Sequence, residues 1–283
     1  MTTIIIMVLV VVIMFSVERL WPANELPKVT NWWPRVALVN LAQAGIVLIL
    51  GATWDRWAAG YTFPWALREY LTLGWQVAIG YIVTTFIYYW WHRLRHESKW
   101  FWRMCHQLHH SPQRMEVVMS FYKHPVEITI NGFLSSSITY LLLGCSPEAA
   151  ALVTLATGIA EYFYHWDVRT PYRLGWIFQR PESHRVHHQR AHHTNNYSDI
   201  PLWDILFGTF QNPKKQVTEC GFETWREDRF DDMLAFRDVH ANNAAELPPL
   251  QLLPTCIGCS KRWACQHVRQ QSQEQHTSEN LEQ

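Results

Sequence analysis

The sequence predicts an all-α integral membrane protein, with four or five membrane helices and a cytoplasmic helical cap that carries a histidine-rich dimetal site. Three observations lead to this prediction. Apolar runs of about the length of a membrane span recur along the chain. Sixteen tryptophans and an aromatic content of 14% are typical of membrane–water interfaces. Finally, 12 of the 15 histidines lie between His92 and His193.

The first two apolar runs predict two membrane helices. The run over residues 4–17 has no basic residue before it and no small-residue cleavage site after it, which favours a retained helix over a signal peptide. The run over 36–54 is long enough to cross a hydrocarbon layer of about 30 Å. Three prolines and the pair Trp32-Trp33 predict a short interfacial connection between the two runs.

A third apolar run, 74–91, carries no charge and leads directly into His92. The basic residues over 93–123 and the arginines that follow His165 place both segments in the cytoplasm by the positive-inside rule. Between them, 128–145 and 149–166 predict a helical hairpin that turns at Gly144-Cys145-Ser146-Pro147. Five spans follow, with the N-terminus outside and the C-terminus in the cytoplasm. Four spans, with a hairpin that dips into the bilayer, are the main alternative.

These runs divide the chain into three parts. Residues 1–91 are predicted to form N-terminal membrane helices, and 92–210 a catalytic domain that includes the hairpin at about 128–166. Residues 211–283 are predicted to be a polar, largely disordered tail. The 24 basic and 24 acidic residues cancel, so the net charge does not indicate a nucleic acid partner.

Three groups of histidines repeat one spacing. His92 and His96 stand at i, i+4, and two triplets stand at i, i+3, i+4, namely His106, His109 and His110, and then His184, His187 and His188. On an α-helix these offsets share one face, and neutral imidazole is a good ligand for iron, zinc or copper. Eight imidazoles exceed what one tetrahedral zinc ion uses, so the count favours two metal ions. The alternative, a metal-buffering tract, fits poorly because aromatic and apolar sequence such as FIYYWWHRLRH surrounds the histidines.

The motifs WHRLRH, HQLHH and HRVHH, followed by NYSDIPLWDILFGTF, resemble the fatty acid hydroxylase or sterol desaturase superfamily of membrane di-iron oxygenases over about Tyr88 to Phe210. The resemblance implies an O2-dependent enzyme with two iron ions that acts on a C–H bond of a sterol, fatty acyl or alkyl lipid. Zinc is expected to substitute for iron in preparations. The implied metal ligands are His92, His96, His106, His109, His110, His165, His184, His187 and His188.

The same resemblance leaves several neighbouring residues with open roles. Relatives carry a His-Pro pair where His124 stands, so His124 is either a further ligand or a capping residue. Glu161 occupies a position where relatives often carry histidine, and either binds a metal through its carboxylate or hydrogen-bonds a ligand imidazole. Asn196 and Asp204 are expected to orient the ligand imidazoles. His192 and His193 are expected to be exposed or to support the ligands.

Residues near the C-terminus are excluded from this site. Cys256, Cys259 and Cys265 with His267 could hold zinc by ligand type, but their spacing fits no common zinc motif. We also do not expect His240 or His276 to bind metal. Six cysteines in a chain of 283 residues do not form a small secreted disulfide framework, which indicates reducing surroundings.

Other functions remain open at the level of sequence. A lipid desaturase would use the same ligands, because the position of the substrate decides between hydroxylation and desaturation. A membrane zinc hydrolase is disfavoured because HxxHH lacks the glutamate of HExxH, and a metal transporter because polar residues gather at the helix ends. A non-catalytic scaffold is a third class. No electron-transfer module is recognisable, so an oxygenase would need an external donor of the cytochrome b5, ferredoxin or flavoprotein type.

Overall fold

The computed structural model describes residues 2–61 and 65–240, and its regular elements within those ranges are all helical. The only β-type pairing there is an isolated bridge between Gln189 and Cys220. The predicted all-α class is therefore confirmed for this part of the chain. The α-helices are α1 (Thr2–Leu20), α2 (Trp32–Ala52), α3 (Trp54–Ala59), α4 (Leu67–Tyr70), α5 (Leu73–Glu97), α6 (Lys99–Phe101), α7 (Gln107–His110), α8 (Pro125–Ser136), α9 (Pro147–His165), α10 (Pro181–His187), α11 (Pro201–Leu206), α12 (Thr224–Glu227) and α13 (Phe230–Leu234).

Four shorter helical segments connect these helices. Two are π-helical, Trp102–His106 before α7 and Ser137–Leu142 after α8. The other two, Val117–Met119 and Tyr172–Trp176, are 3-10 helices. A π-helical turn holds more residues than an α-helical one, so it changes the direction in which the following side chains point.

The three apolar runs near the N-terminus all lie in helices, α1, α2 and α5. Within the described ranges, one segment, Trp32–Ala59, is long and apolar enough to cross a membrane, and 17% of its most apolar stretch is buried. The multi-pass arrangement and the cytoplasmic cap stay predictions. Helix α5 continues without a break from its apolar part through His92 to Glu97, which joins the third run to the first histidine pair.

The predicted hairpin is formed by α8 with its π-helical extension and by α9. Its turn contains Gly144 at φ +59°, and a Cβ atom at this position would lie 2.6 Å from the Cα of Ala66. Glycine is therefore required both for the backbone conformation and for the close approach of the turn to Ala66, just before α4. Helix α9 then begins at Pro147, and the hydroxyl of Ser146 accepts a hydrogen bond from the backbone N–H of Ala149.

Proline marks the start of each helix from α8 to α11. It suits the first helical position because its fixed φ is already helical. Proline lacks an N–H group, and at this position an N–H group would have no partner within the helix. Helices α5, α9 and α10 pack around one region, and the connection between α5 and α7 folds back onto the same region. The histidines therefore meet where the ends of several helices converge.

The segment after residue 210 is only partly the polar tail that the sequence predicts. Phe222, Phe230 and Met233 are buried in one cluster with Trp32 and Trp102. Widely spaced apolar residues within the polar sequence of 211–240 therefore pack onto the core, whereas the sequence predicts a polar, largely disordered tail from residue 211. Residues 241–283 lie outside the described ranges, and with them Cys256, Cys259, Cys265, His267 and His276.

Candidate metal centre

Nine buried histidines form two groups, and in each group one ring nitrogen per residue lies within 4.8 Å of the others. The five-histidine site consists of His92, His96, His106, His110 and His187. The four-histidine site consists of His109, His165, His184 and His188. The structure thus brings together all nine histidines that the resemblance implies as ligands and divides them into two sites. Their binding of metal stays a prediction.

Each HxxHH triplet is split between the two sites. His106 and His110 belong to the five-histidine site, whereas His109 belongs to the four-histidine site. The second triplet is divided the other way, with His187 on one side and His184 and His188 on the other. Adjacent helical residues point about 100° apart, which agrees with the separation of His109 from His110 and of His187 from His188. The rings of His110 and His188 stack with centroids 4.2 Å apart, which places the sites side by side.

Backbone carbonyl groups fix three of the imidazoles. The Nδ1 atom of His92 lies 2.7 Å from the carbonyl oxygen of Tyr197, and that of His187 lies 2.6 Å from the carbonyl oxygen of Asn195. His165 makes the same contact with the carbonyl of Glu161 at 2.8 Å. Because a carbonyl oxygen only accepts, Nδ1 carries the hydrogen in each ring and Nε2 keeps its lone pair for a metal.

Several ring nitrogens in the two sites have no hydrogen-bond partner within the described part of the chain. They include Nε2 of His92 and His187 and both ring nitrogens of His96 and His188, and all are buried. A buried polar atom without a partner costs free energy, and a metal ion would use these lone pairs. A set of imidazoles suits iron, zinc or copper. The residues present therefore fit a pair of transition-metal ions.

A buried carboxylate supports the five-histidine site. Glu127, near the start of α8, lies 3.2 Å from Nδ1 of His106 through one carboxylate oxygen and forms an ion pair with Arg95. Arg95 stands on α5 between His92 and His96. Sequence reasoning missed Glu127 because it lies 21 residues from His106. Its one visible signal is an acidic residue in the first turn of a helix that begins at a His-Pro pair.

Burial determines the charge of the ligands. It is the main cause that lowers the pKa of each histidine in both triplets well below 6.5, with neighbouring positive groups as further causes. These imidazoles are therefore neutral at physiological pH, which is the form that binds metal.

Asp204 and Asn196 hold one loop in place. The backbone carbonyls of Asn195 and Tyr197 in this loop contact His187 and His92. The Asp204 carboxylate accepts hydrogen bonds from the backbone N–H groups of Tyr197 at 2.8 Å and Ser198 at 3.0 Å. The Asn196 side chain donates to the carbonyl of Ser183 at 2.7 Å, which ties the loop to α10. Both residues therefore position the imidazoles through the loop backbone rather than by the direct hydrogen bond to a ring that the sequence suggests.

The structure shows the contacts of two residues whose roles the sequence leaves open. The Glu161 carboxylate belongs to neither histidine group and instead forms an ion pair with Lys123, while the Glu161 backbone carbonyl holds His165. His124 also lies outside both groups. Its Nδ1 atom accepts a hydrogen bond from the backbone N–H of Val126 at 3.1 Å and caps α8. His124 is therefore a capping residue, and the possible ligand role is not supported.

The remaining described histidines surround the sites. His193 is buried, and its Nδ1 atom lies 3.2 Å from Nδ1 of His110, so it contacts a predicted ligand. His192 is partly exposed and lies 3.2 Å from the side-chain oxygen of Asn195. His240 is outside both groups and packs edge-on against the ring of Phe222 at 4.5 Å.

Comparison with known proteins shows which family the chain resembles. Residues 77–209 match the family described as "Fatty acid hydroxylase". The chain is 29% identical over 218 residues to "Ornithine lipid hydroxylase OlsE" of Rhizobium tropici, which covers 70% of this chain and 63% of that protein. It is 27% identical over 157 residues to "Sphingolipid C4-hydroxylase sur2" of Schizosaccharomyces pombe, with 50% and 54% covered.

A third relative, "Alkylglycerol monooxygenase" of Xenopus tropicalis, is 27% identical over 168 residues, which cover 56% of this chain and 36% of that protein. The match thus spans less than two thirds of the length of each of these three relatives. No solved structure matches the chain.

Proposed function

From the fact that this chain belongs to the fatty acid hydroxylase superfamily, we propose that it is an O2-dependent oxidoreductase that holds two iron ions and hydroxylates a C–H bond of a membrane lipid. One observation carries the proposal. Within each of two adjacent sites, ring nitrogens of buried imidazoles lie within 4.8 Å of one another, and several of them have no hydrogen-bond partner among the described residues. Such a donor set suits a pair of iron ions, and zinc is expected to occupy it in some preparations.

Bound iron would supply the reduction of O2 and the attack on an unactivated C–H bond. The residues of this chain provide the setting for that chemistry. The carbonyls of Tyr197, Asn195 and Glu161 hold three rings in the tautomer that offers Nε2. All nine histidines are at least about nine-tenths buried, which keeps bulk water away from the site. The protein therefore orients the ligands and excludes solvent.

The relatives support a lipid as the proposed substrate. The names of the three relatives above refer to ornithine lipid, sphingolipid and alkylglycerol, and each describes a hydroxylase or a monooxygenase. A substrate with an apolar chain next to a polar head fits a site that begins where the apolar part of α5 ends at His92. We therefore favour hydroxylation over desaturation, with a sterol, fatty acyl or alkyl lipid as the substrate.

The proposal includes an external electron donor of the cytochrome b5, ferredoxin or flavoprotein type. It also includes a multi-pass location with the metal centre and the C-terminus on the cytoplasmic side. Glu219, whose side chain is 68% exposed, offers a labelling position. In a variant with Cys256, Cys259 and Cys265 replaced by serine, we expect Glu219→Cys to resist an impermeant thiol reagent in intact cells and to react after permeabilisation. Equal labelling before and after permeabilisation would contradict the cytoplasmic location.

Untargeted lipid mass spectrometry tests the reaction. Cells that express the chain should accumulate a lipid that is heavier by one oxygen, and cells that express His187→Ala should not. A product lighter by two hydrogens would instead identify a desaturase. Anaerobically purified protein loaded with iron should consume O2 when reductant is added, which a zinc hydrolase or transporter would not do. Absence of any His187-dependent lipid change with an active electron donor would overturn the proposal.

A further inference from the structure

An apolar patch lies on the surface outside all the predicted membrane segments. It combines the end of the 3-10 helix Tyr172–Trp176 and the two residues after it with one face of α11. The patch consists of Trp176, Ile177, Phe178, Leu202, Ile205 and Leu206. Ile177 is 63% exposed and Leu206 is 61% exposed. Helix α11 contacts the 3-10 helix Tyr172–Trp176, which brings these exposed side chains to neighbouring elements. Exposed apolar side chains grouped in this way indicate an interaction site.

Helix α11 is amphipathic in a way that links this patch to the metal centre. Leu202, Ile205 and Leu206 stand at i, i+3 and i+4 and are exposed on one face, whereas Pro201 and Asp204 are buried on the other. Asp204 is the residue that holds the loop carrying the carbonyls for His92 and His187. The exposed face of α11 therefore lies one helix width from the support of the five-histidine site.

Helix α11, which carries half of the patch, packs against the apolar surface of α5. Phe86 of α5 is itself 37% exposed and contacts the ring of Trp203 at 5.0 Å and that of Phe207 at 6.4 Å. Helix α5 contains the third apolar run of the sequence, which is predicted to cross the membrane. An apolar surface that continues from a membrane helix onto a neighbouring short helix points to the same lipid phase for both.

Charge around the patch favours an anionic lipid surface. Arg173, Lys214 and Lys215 are exposed beside it, and Nζ of Lys214 lies 5.8 Å from the ring centre of Tyr172. Within 169–178 and 200–215 the only carboxylate is that of Asp204, which is buried. Exposed cations next to apolar side chains are typical of segments that lie in the headgroup layer of anionic membranes.

We propose that this apolar patch inserts into the headgroup and outer acyl region of an anionic lipid bilayer, as a second membrane contact beside the spanning helices. The inference concerns where the chain meets the bilayer, and it goes beyond the proposed hydroxylation because it holds whatever the substrate is.

Spin-label accessibility in reconstituted full-length protein tests this contact. In a background with Cys256, Cys259 and Cys265 replaced by serine, Ile177→Cys and Leu206→Cys are labelled separately, with Glu219→Cys as the exposed polar control. Cys105, Cys145 and Cys220 are buried and are not expected to react. In vesicles of phosphatidylcholine and phosphatidylglycerol, the ratio of collisions with O2 to collisions with a nickel chelate should be several-fold higher at 177 and 206 than at 219.

Equal nickel access at 206 and 219 would overturn the proposal, and so would dipolar broadening between Leu206 labels, since a second copy would then cover the patch. The Leu206 label alone carries the test if Ile177→Cys does not fold.

Adding Lys214→Glu and Lys215→Glu should raise nickel access at 206 in anionic vesicles and leave it unchanged in pure phosphatidylcholine. No change in anionic vesicles would contradict the role of charge. The two proposals can fail separately. If the labels lie in lipid but the protein does not hydroxylate a lipid, the proposed function is refuted and this membrane contact stands.

Discussion

At the scale of single residues, hydrogen bonds separate the histidines that face a metal site from the one that caps a helix. His106 places Nδ1 against Glu127 and belongs to the five-histidine site, whereas His124 uses Nδ1 to accept from the backbone of α8. Both residues are buried histidines with a polar partner, so burial alone does not distinguish them.

Two alanine substitutions should separate these roles. His106→Ala should lower the number of metal ions bound per chain, because it removes a ligand, whereas His124→Ala should leave the metal content unchanged. His124→Ala should instead lower the free energy of unfolding by about 1 kcal/mol, the usual effect of a lost N-terminal cap. Metal analysis and unfolding of both variants in the same detergent check this. Equal metal loss in both variants would place His124 in the site.

Glu127→Gln should weaken metal binding at the five-histidine site by roughly 10- to 100-fold, the usual effect of losing a group that orients a ligand. Glu97→Gln is the matched control, because Glu97 forms an ion pair with buried Arg93 on the same helix as Arg95. Both substitutions remove a carboxylate from a buried ion pair and should reduce stability. Metal titration should show the affinity loss only for Glu127→Gln, and a similar loss in both would show that it follows from instability.

At the scale of elements, the sequence predicts the hairpin and the histidine spacing well but not the division of the sites. Helical periodicity correctly places His106 with His110, and His184 with His188. It does not reveal that His109 faces the other site, because this depends on the π-helical turn at Trp102–His106 and on how α10 approaches α7. The sequence also does not predict the contacts of Glu127 with His106 or of the Asn195 carbonyl with His187. Contacts between distant segments, and contacts made by backbone atoms, leave no pattern in side-chain spacing.

The turn of the hairpin gives a prediction at this scale. Gly144→Ala should destabilise the protein, because alanine is strained at φ +59° and its Cβ would lie 2.6 Å from both the Cα and the Cβ of Ala66. Gly208→Ala is the control, since its φ is +72° but no atom lies within 4 Å of the added Cβ. Thermal unfolding should show the larger loss for Gly144→Ala. Equal losses would mean that the contact with Ala66 contributes nothing.

At the scale of the whole molecule, the length and period of the apolar runs predict the helical class, and the number of histidines predicts a dimetal centre. These patterns do not predict how far the folded region extends. Phe222, Phe230 and Met233 are isolated apolar residues in a polar stretch, and their burial against Trp32 and Trp102 requires the fold itself. Membrane topology also depends on the lipid bilayer around the chain. The predicted topology therefore rests on the placement of the arginines, and the Glu219→Cys labelling experiment tests it.

The most direct test of the account is the number of iron ions bound per chain after anaerobic loading of the purified protein. The two groups of buried imidazoles predict two. His96→Ala and His188→Ala, one in each site, should each reduce the number or the affinity, and the double variant should bind neither ion tightly. One ion in the wild type, or two ions retained with unchanged affinity in the double variant, would contradict the assignment of the two sites.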